Sequence, residues 1–181
     1  MRPDRVVLWG FMACGKSAVG RRLARRLGWS FLDLDEEIVR RTGRTVAQIF
    51  ERDGEPAFRA REVELTREIA ARDHLVFAPG GGWITNPDVL GLLPPRTLSV
   101  WLRISAETAL ARVRFHSGAP VRPLLRSPDP EATARRLLRD REPLYAQADA
   151  TVDADGCTLD EVVSRVERIV RSRAAGEELS Q

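Results

Sequence analysis

The run Gly10-Phe11-Met12-Ala13-Cys14-Gly15-Lys16-Ser17 satisfies the pattern G-x-x-x-x-G-K-[ST]. In that pattern a glycine-rich turn aims successive backbone N–H groups and a helix N-terminus at phosphate oxygens. The lysine reaches the β and γ phosphates, and the serine hydroxyl binds Mg²⁺. The flanks supply the context that the pattern requires. Arg5 to Trp9 is a short apolar strand that ends at Gly10, and Val19, Leu23 and Leu27 then recur at four-residue spacing until Gly28 stops a helix. Strand, glycine loop and helix together predict nucleotide binding through Ala13, Cys14, Gly15, Lys16, Ser17 and Ala18. At Ala13 and Cys14 only backbone donors are needed. Cys14 admits two readings, a thiol activated by the helix N-terminus or a small loop residue without chemistry.

The charge composition singles out the same loop. Of 29 basic residues, 28 are arginine and one is lysine, and the lysine is Lys16. A chain that uses arginine everywhere else keeps a compact ammonium at this one position. The net charge is +3, with 26 acidic residues scattered among the basic ones along helical stretches. That distribution describes a solvated arginine-rich surface rather than a nucleic-acid stripe.

Outward from the loop, strands and helices alternate. Trp29 to Leu34 reads as a second strand. Val46, Ile49 and Phe50, then Phe58, Leu65 and Ile69, mark two helices separated by Asp53, Gly54 and Pro56. Leu75 to Ala78 is a third strand, broken at Pro79 and the Gly80 to Gly82 triplet. Thr97 to Leu102 is a fourth, followed by a helix from about Ser105 to Phe115. The proline-rich stretch Ser117 to Pro130 reads as an ordered but mobile loop, within a lid expected over about residues 113–130. Glu131 to Ala148 reads as helix, Ala150 to Asp153 as a fifth strand and Leu159 to Arg173 as the last helix, with a frayed tail over 174–181. The expected class is α/β: a three-layer α/β/α domain over residues 1–173, with a five-stranded parallel sheet covered on both faces.

A chain of 181 residues suffices for one domain. With 43% hydrophobic and 30% charged residues, and no apolar run approaching a membrane span, no membrane partner is expected. Met1 to Arg5 runs straight into Val6 to Trp9 rather than into a long apolar stretch with a cleavage site, so a cytoplasmic protein is expected. Cys14 and Cys157 lie far apart without metal-ligand spacing, and both are expected as reduced thiols.

Asp33 and Asp35, two residues apart on a predicted strand, would place both carboxylates on one face at its C-terminal edge, where open α/β sheets bind ligands. One carboxylate would suit hydrated Mg²⁺ and the other the proton of an attacking hydroxyl. Alternatively, Asp35 is only the cap of a helix that begins near Glu36.

Several further blocks, taken in order, resemble shikimate kinases: Gly10 to Ser17, the Phe31-Leu32-Asp33-Leu34-Asp35 strand, Ile49-Phe50 with Gly54-Glu55 and Phe58-Arg59 then Glu62, Gly80-Gly81-Gly82, Arg122-Pro123-Leu124-Leu125, and Arg141 with Leu144-Tyr145. They span the chain from Arg5 to about Arg171. The resemblance implies a nucleoside-monophosphate-kinase-like fold, with transfer of the ATP γ-phosphate to the 3-hydroxyl of shikimate in aromatic amino-acid (chorismate) biosynthesis. It implies Asp35 as the base on the acceptor hydroxyl, beside Lys16 and Arg122 as the other catalytic residues, and Mg²⁺ on Ser17 and Asp33. It implies that Arg59 and Arg141 clamp the shikimate carboxylate, that Gly81 contributes a backbone donor, and that Glu62 holds Arg59. Gly82, Phe50 and Phe58 join the acceptor pocket, and Arg122 closes over the phosphates. The partners implied are ATP and shikimate, without nucleic acid, and the chain is expected as a monomer.

The chain departs from the family pattern at five places. Ala13 replaces a loop glycine and Ala18 a hydroxyl residue. Phe115 stands where an arginine precedes Arg122 by seven residues, so Arg114 or Arg112 substitutes or the adenine stacks on Phe115. Cys157 stands where an adenine-packing arginine is common. Trp83, larger than the usual residue after the triglycine, either narrows the acceptor pocket or packs in the core. Two other readings remain: a gluconate or nucleoside-monophosphate kinase of the same fold, and a nucleotide sensor without turnover.

Overall fold

The computed structural model describes residues 3–115 and 128–176. Its frame is a five-stranded sheet of order β2-β3-β1-β4-β5, with every neighbouring pair parallel. The strands are β1 Arg5–Trp9, β2 Ser30–Asp33, β3 Leu75–Ala78, β4 Thr97–Arg103 and β5 Ala150–Asp153. β1 occupies the centre, and the phosphate loop leaves its C-terminal end between β3 and β4. The order of strands reverses at that point, so a crevice opens at their C-terminal ends.

The helices are α1 Lys16–Leu27, α2 Leu34–Thr42, α3 Val46–Ile69, α4 Pro87–Leu90, α5 Ala106–Phe115, α6 Pro130–Tyr145 and α7 Leu159–Ala175, with a 3₁₀ turn at Trp83–Thr85. Consecutive strand residues face opposite layers. Leu8 lies on the α1 side, because a Cβ on Gly20 of α1 would stand 3.4 Å from its methyl carbon. Trp9 lies on the other side, its ring 6.2 Å from that of Trp83 in the 3₁₀ turn. Both layers are apolar against the sheet: Val19 and Leu23 of α1 and Val163 and Val166 of α7 are buried on one side, Leu65 and Ile69 of α3 on the other. The α1 periodicity read from the sequence is thus a buried stripe. Threonine caps with reciprocal side-chain bonds start α3 (Thr45 with Gln48) and α7 (Thr158 with Glu161).

Several boundaries differ from the sequence reading. β2 ends at Asp33, and Leu34 already begins α2, a helix that the pattern of apolar residues did not announce. Asp33 and Asp35 therefore do not share a strand face. Asp33 is the N-cap of α2, its side chain accepting from the Glu36 N–H, and Asp35 lies in the first turn. The cap that the sequence offered to Asp35 belongs to Asp33. The two helices expected around Gly54 run as one element with a kink, where Gly54 has φ 81° and ψ 168°, a conformation open to glycine alone without strain. α6 ends at Tyr145, three residues early, and α7 continues two residues further, to Ala175, before Gly176 caps it. Arg122, Pro123, Leu124 and Leu125 lie outside the described residues, as do most of the expected lid and residues 177–181.

Candidate active site

The phosphate loop begins with two backbone conformations that carry it off the sheet. Gly10 has φ 146°, and a Cβ there would stand 2.5 Å from the Leu102 carbonyl oxygen. Ala13 has φ 58°, in the left-handed region where an L-alanine is strained. Its carbonyl oxygen accepts from Arg112 Nη1 at 3.2 Å, and Nη2 of the same guanidinium donates to the Ala154 carbonyl at 3.1 Å. Arg112 thereby ties the phosphate loop to the loop after β5. The sequence offered Arg112 as a stand-in on the adenine, whereas Nη1 and Nη2 both donate to backbone carbonyls. The side chains of Arg114 and Phe115 are outside the described residues.

Gly15 caps α1, so the helix N-terminus opens into the loop. Lys16 Nζ donates to the carbonyls of Gly10 at 2.9 Å and Phe11 at 3.1 Å, and lies 3.7 Å from Cys14 Sγ. The ammonium is thus held over the loop by its own carbonyls. Cys14 is buried among the core residues, which favours the reading as a small loop residue. Ser17 Oγ donates to Asp33 Oδ2 at 2.5 Å, joining the first turn of α1 to the end of β2. These are the two side chains expected to share Mg²⁺. A pair of oxygens at the edge of a phosphate loop suits a hard cation that completes its shell with water and phosphate oxygens.

Beside the loop, the Gly80-Gly81-Gly82 triplet is a junction at which four elements approach backbone without intervening side chains. A Cβ on Gly80 would stand 2.8 Å from Asp35 Oδ1, one on Gly81 3.3 Å from the Met12 nitrogen, and one on Gly82 2.7 Å from Arg59 Nη2. From the α6 side, Arg141 Nη1 donates to the Gly81 carbonyl at 3.2 Å. The triplet thus brings Asp35, Arg59, Arg141 and the phosphate loop together. Phe50 and Phe58 flank the Gly54 kink with ring centroids 4.8 Å apart, and the Arg59 guanidinium lies 5.8 Å over the Phe58 ring.

The two arginines differ in their partners. Arg59 is held by Glu62 Oε2 at 2.7 Å and by Glu55 Oε1 at 2.9 Å. Burial works against its charge, but the Glu62 and Glu55 carboxylates outweigh it and raise its pKa. Glu62 is wholly buried, and burial pushes its pKa up to about 7 although Arg59 pulls the other way. The Asp35 and Glu55 charges add to the rise. Its Oε1 has no hydrogen-bond partner among the described residues. Arg141, by contrast, is half-buried and forms no ion pair among the described residues.

Trp83 resolves toward core packing. It is fully buried, its ring meets Phe77 edge-on at 5.9 Å, and its Nε1 donates to Thr66 Oγ1 at 3.0 Å. Cys157 Sγ faces the Asp153 carbonyl at 3.6 Å. Two contacts escaped the sequence reading. Glu55 shares Arg59 with Glu62, and the Tyr145 hydroxyl shares the Gly81 carbonyl with Arg141. Both lie four residues from the arginine concerned, on the same helix face, and that spacing was the available signal.

Known proteins match this arrangement along most of its length. Residues 12–171 match the family described as shikimate kinase. A shikimate kinase from Cereibacter sphaeroides is 40% identical over 168 residues, which are 93% of this chain and 83% of that protein. Among solved structures, a shikimate kinase from Acinetobacter baumannii in complex with shikimate superimposes with a TM-score of 0.87 at 37% identity, covering 94% of each chain. A gluconokinase from Sinorhizobium meliloti has a TM-score of 0.65 at 18% identity, covering 97% of this chain and 95% of its own, a likeness of fold alone.

Proposed function

The chain belongs to the shikimate kinase family, and from that premise we propose that it transfers the γ-phosphate of ATP to the 3-hydroxyl of shikimate. The observation that carries the proposal is the junction at the triglycine. One carboxylate and two guanidiniums on three different elements meet at the edge of the phosphate loop. A linear phosphate site would need neither arginine. An acceptor with both a hydroxyl and a carboxylate uses all three groups.

The γ-phosphoryl group is charged and poorly reactive, so the protein's share of the work is neutralisation and alignment. The N–H groups of the loop from Ala13 to Ala18 and the N-terminus of α1 face the phosphates. Lys16 leaves its loop carbonyls for the β and γ oxygens. Ser17 and Asp33 are the residues that would hold Mg²⁺, and when bound the ion neutralises charge on those same oxygens. Arg59 and Arg141 grip the acceptor carboxylate, each through parallel N–H donors. Phe50 and Phe58 form an apolar wall, and Gly81 and Gly82 supply backbone donors. Glu62 and Glu55 hold the Arg59 fork in place. Asp35, against Gly80, accepts the proton of the 3-hydroxyl as the new oxygen–phosphorus bond forms and the bond to the β-phosphate oxygen breaks. Arg122, assigned by motif alone, completes the charge balance.

The reading takes the chain as a cytoplasmic monomer. In support, Leu159 is the one large hydrophobic side chain exposed among the described residues, and no helix described is long and apolar enough to cross a membrane. The deciding assay measures ADP release from ATP and Mg²⁺ with shikimate, gluconate, AMP or no acceptor. Shikimate-dependent release is expected. Release that depends on gluconate or AMP, or nucleotide binding without release, refutes the proposal.

A further inference from the structure

One buried side chain at the acceptor site has a hydrogen bond that the mechanism above does not use. Tyr145, at the end of α6, is 1% exposed, and its ring stacks on Trp101 with centroids 6.0 Å apart. Its hydroxyl donates to the Gly81 carbonyl oxygen at 2.5 Å, while Arg141 Nη1 reaches the same oxygen at 3.2 Å. A carbonyl oxygen accepts through two lone pairs, so both donors sit on one atom, and the phenol has the shorter hold.

We propose that Tyr145 is a positioning residue for the acceptor: its hydroxyl anchors the Gly81–Gly82 peptide and leaves the Arg141 guanidinium to the acceptor's carboxylate. The proposal rests on the shikimate kinase reading of this site. Its physical basis is the planarity of the peptide. With the Gly81 carbonyl held toward α6, the Gly82 N–H of the same trans unit faces the opposite way, away from α6. The Cα of Gly82 meanwhile packs on Arg59, where a Cβ would stand 2.7 Å from Nη2. One peptide therefore sets the wall behind Arg59, the direction of a backbone donor and the competing acceptor for Arg141.

Glycine makes this unit easy to rotate, since no Cβ restrains φ and ψ at Gly81 or Gly82. The anchor must come from elsewhere, and Tyr145 supplies it from a rigid place, a ring packed on Trp101. Without the hydroxyl, a carbonyl turned into the protein is left with Arg141 as its only donor among the side chains described. It then draws the guanidinium closer and takes it from the substrate.

The ring and the hydroxyl have separable roles, so Tyr145→Phe tests the second while keeping the first. Steady-state kinetics with ATP and shikimate are measured for the wild type, Tyr145→Phe, Arg141→Ala and the double variant, with thermal melting as a check on the fold. The expected result for Tyr145→Phe is a KM for shikimate raised about tenfold, with kcat and the KM for ATP within about twofold. In the Arg141→Ala background the same substitution is expected to have less than its full effect, because both side chains act on one carbonyl. An unchanged KM for shikimate, equal rises in both KM values, or strictly multiplicative effects in the double variant overturns the inference while leaving the kinase reading intact. A wild-type chain that shows no shikimate-dependent turnover overturns both.

Discussion

Glu62→Gln is the substitution whose outcome follows most directly from the structure. Glu62 is 0% exposed, and its pKa is raised from 4.5 to about 7, mainly by burial. In the unfolded chain it would ionise near 4.5. An acid whose pKa is raised on folding favours the native state most when both states hold the proton. That advantage is complete below pH 4.5, is lost as pH rises toward 7, and changes no further above it. At about 1.4 kcal/mol per pH unit, the whole window is worth about 3 kcal/mol, or roughly 6–12 °C in Tm for a chain of this size. Glutamine keeps the shape and cannot ionise. Melting curves of the wild type and Glu62→Gln between pH 4.5 and 8 give the difference in Tm, in which every other titrating group cancels to first order. Wild type minus variant is expected to fall by about 6–12 °C as pH rises to 7 and then level off. A constant offset superimposed on that fall would reflect the altered bond to Arg59. A flat difference, or one that rises with pH, refutes the claim that Glu62 is held in a medium hostile to its charge.

Three other outcomes follow from the site. Ala13→Gly removes left-handed strain at φ 58°, and its net stabilisation, after the greater freedom of glycine in the unfolded chain, is about 0.5–1 kcal/mol, read as a higher Tm. A lower Tm would show that the alanine methyl contributes packing that outweighs the strain. Asp35→Asn is expected to lose at least ~10²-fold in turnover while nucleotide titration shows undiminished ATP binding, and unchanged turnover removes Asp35 from the base role. Because Lys16 is the chain's one lysine, an amine-reactive reagent has two targets, Lys16 and the N-terminus. ATP is expected to shield Lys16 alone in peptide mapping, and equal labelling with and without ATP contradicts its contact with the phosphates.

The parts of this protein that were legible in the sequence are those whose geometry is local. Eight consecutive residues, Gly10 to Ser17, encode the phosphate loop, because the turn, the helix start and the lysine all lie within one another's reach along the backbone. The alternation of strands and helices was equally legible, and with it the parallel five-stranded sheet, since crossover connections leave few topologies open. The resemblance extended this reading to Arg59, Arg141 and Asp35. It could not say how the backbone presents them. Asp33 and Asp35 looked like strand neighbours because they lie two residues apart at the end of the apolar stretch from Trp29 to Leu34. The chain turns into α2 one residue after Asp33, and the capping bond to Glu36 settles the matter.

Only the tertiary structure decided which charges are shared and which side chains are buried. Glu62 became a carboxyl with a pKa near 7 because α3 buries it beside Arg59 and Asp35, a consequence of packing that spacing does not carry. Trp83, ambiguous as a residue after three glycines, became a core side chain once Trp9, Phe77 and Thr66 closed around it. The Gly81 carbonyl joins residues 60 and 64 positions away, Arg141 and Tyr145. Contacts across such separations depend on where sheet and helices place their ends. The sequence determined that a nucleotide would be held at the end of β1, through a motif that folds on itself. The assembly of the proposed acceptor site beside it, by four elements meeting at glycines too small to keep them apart, was determined by the fold.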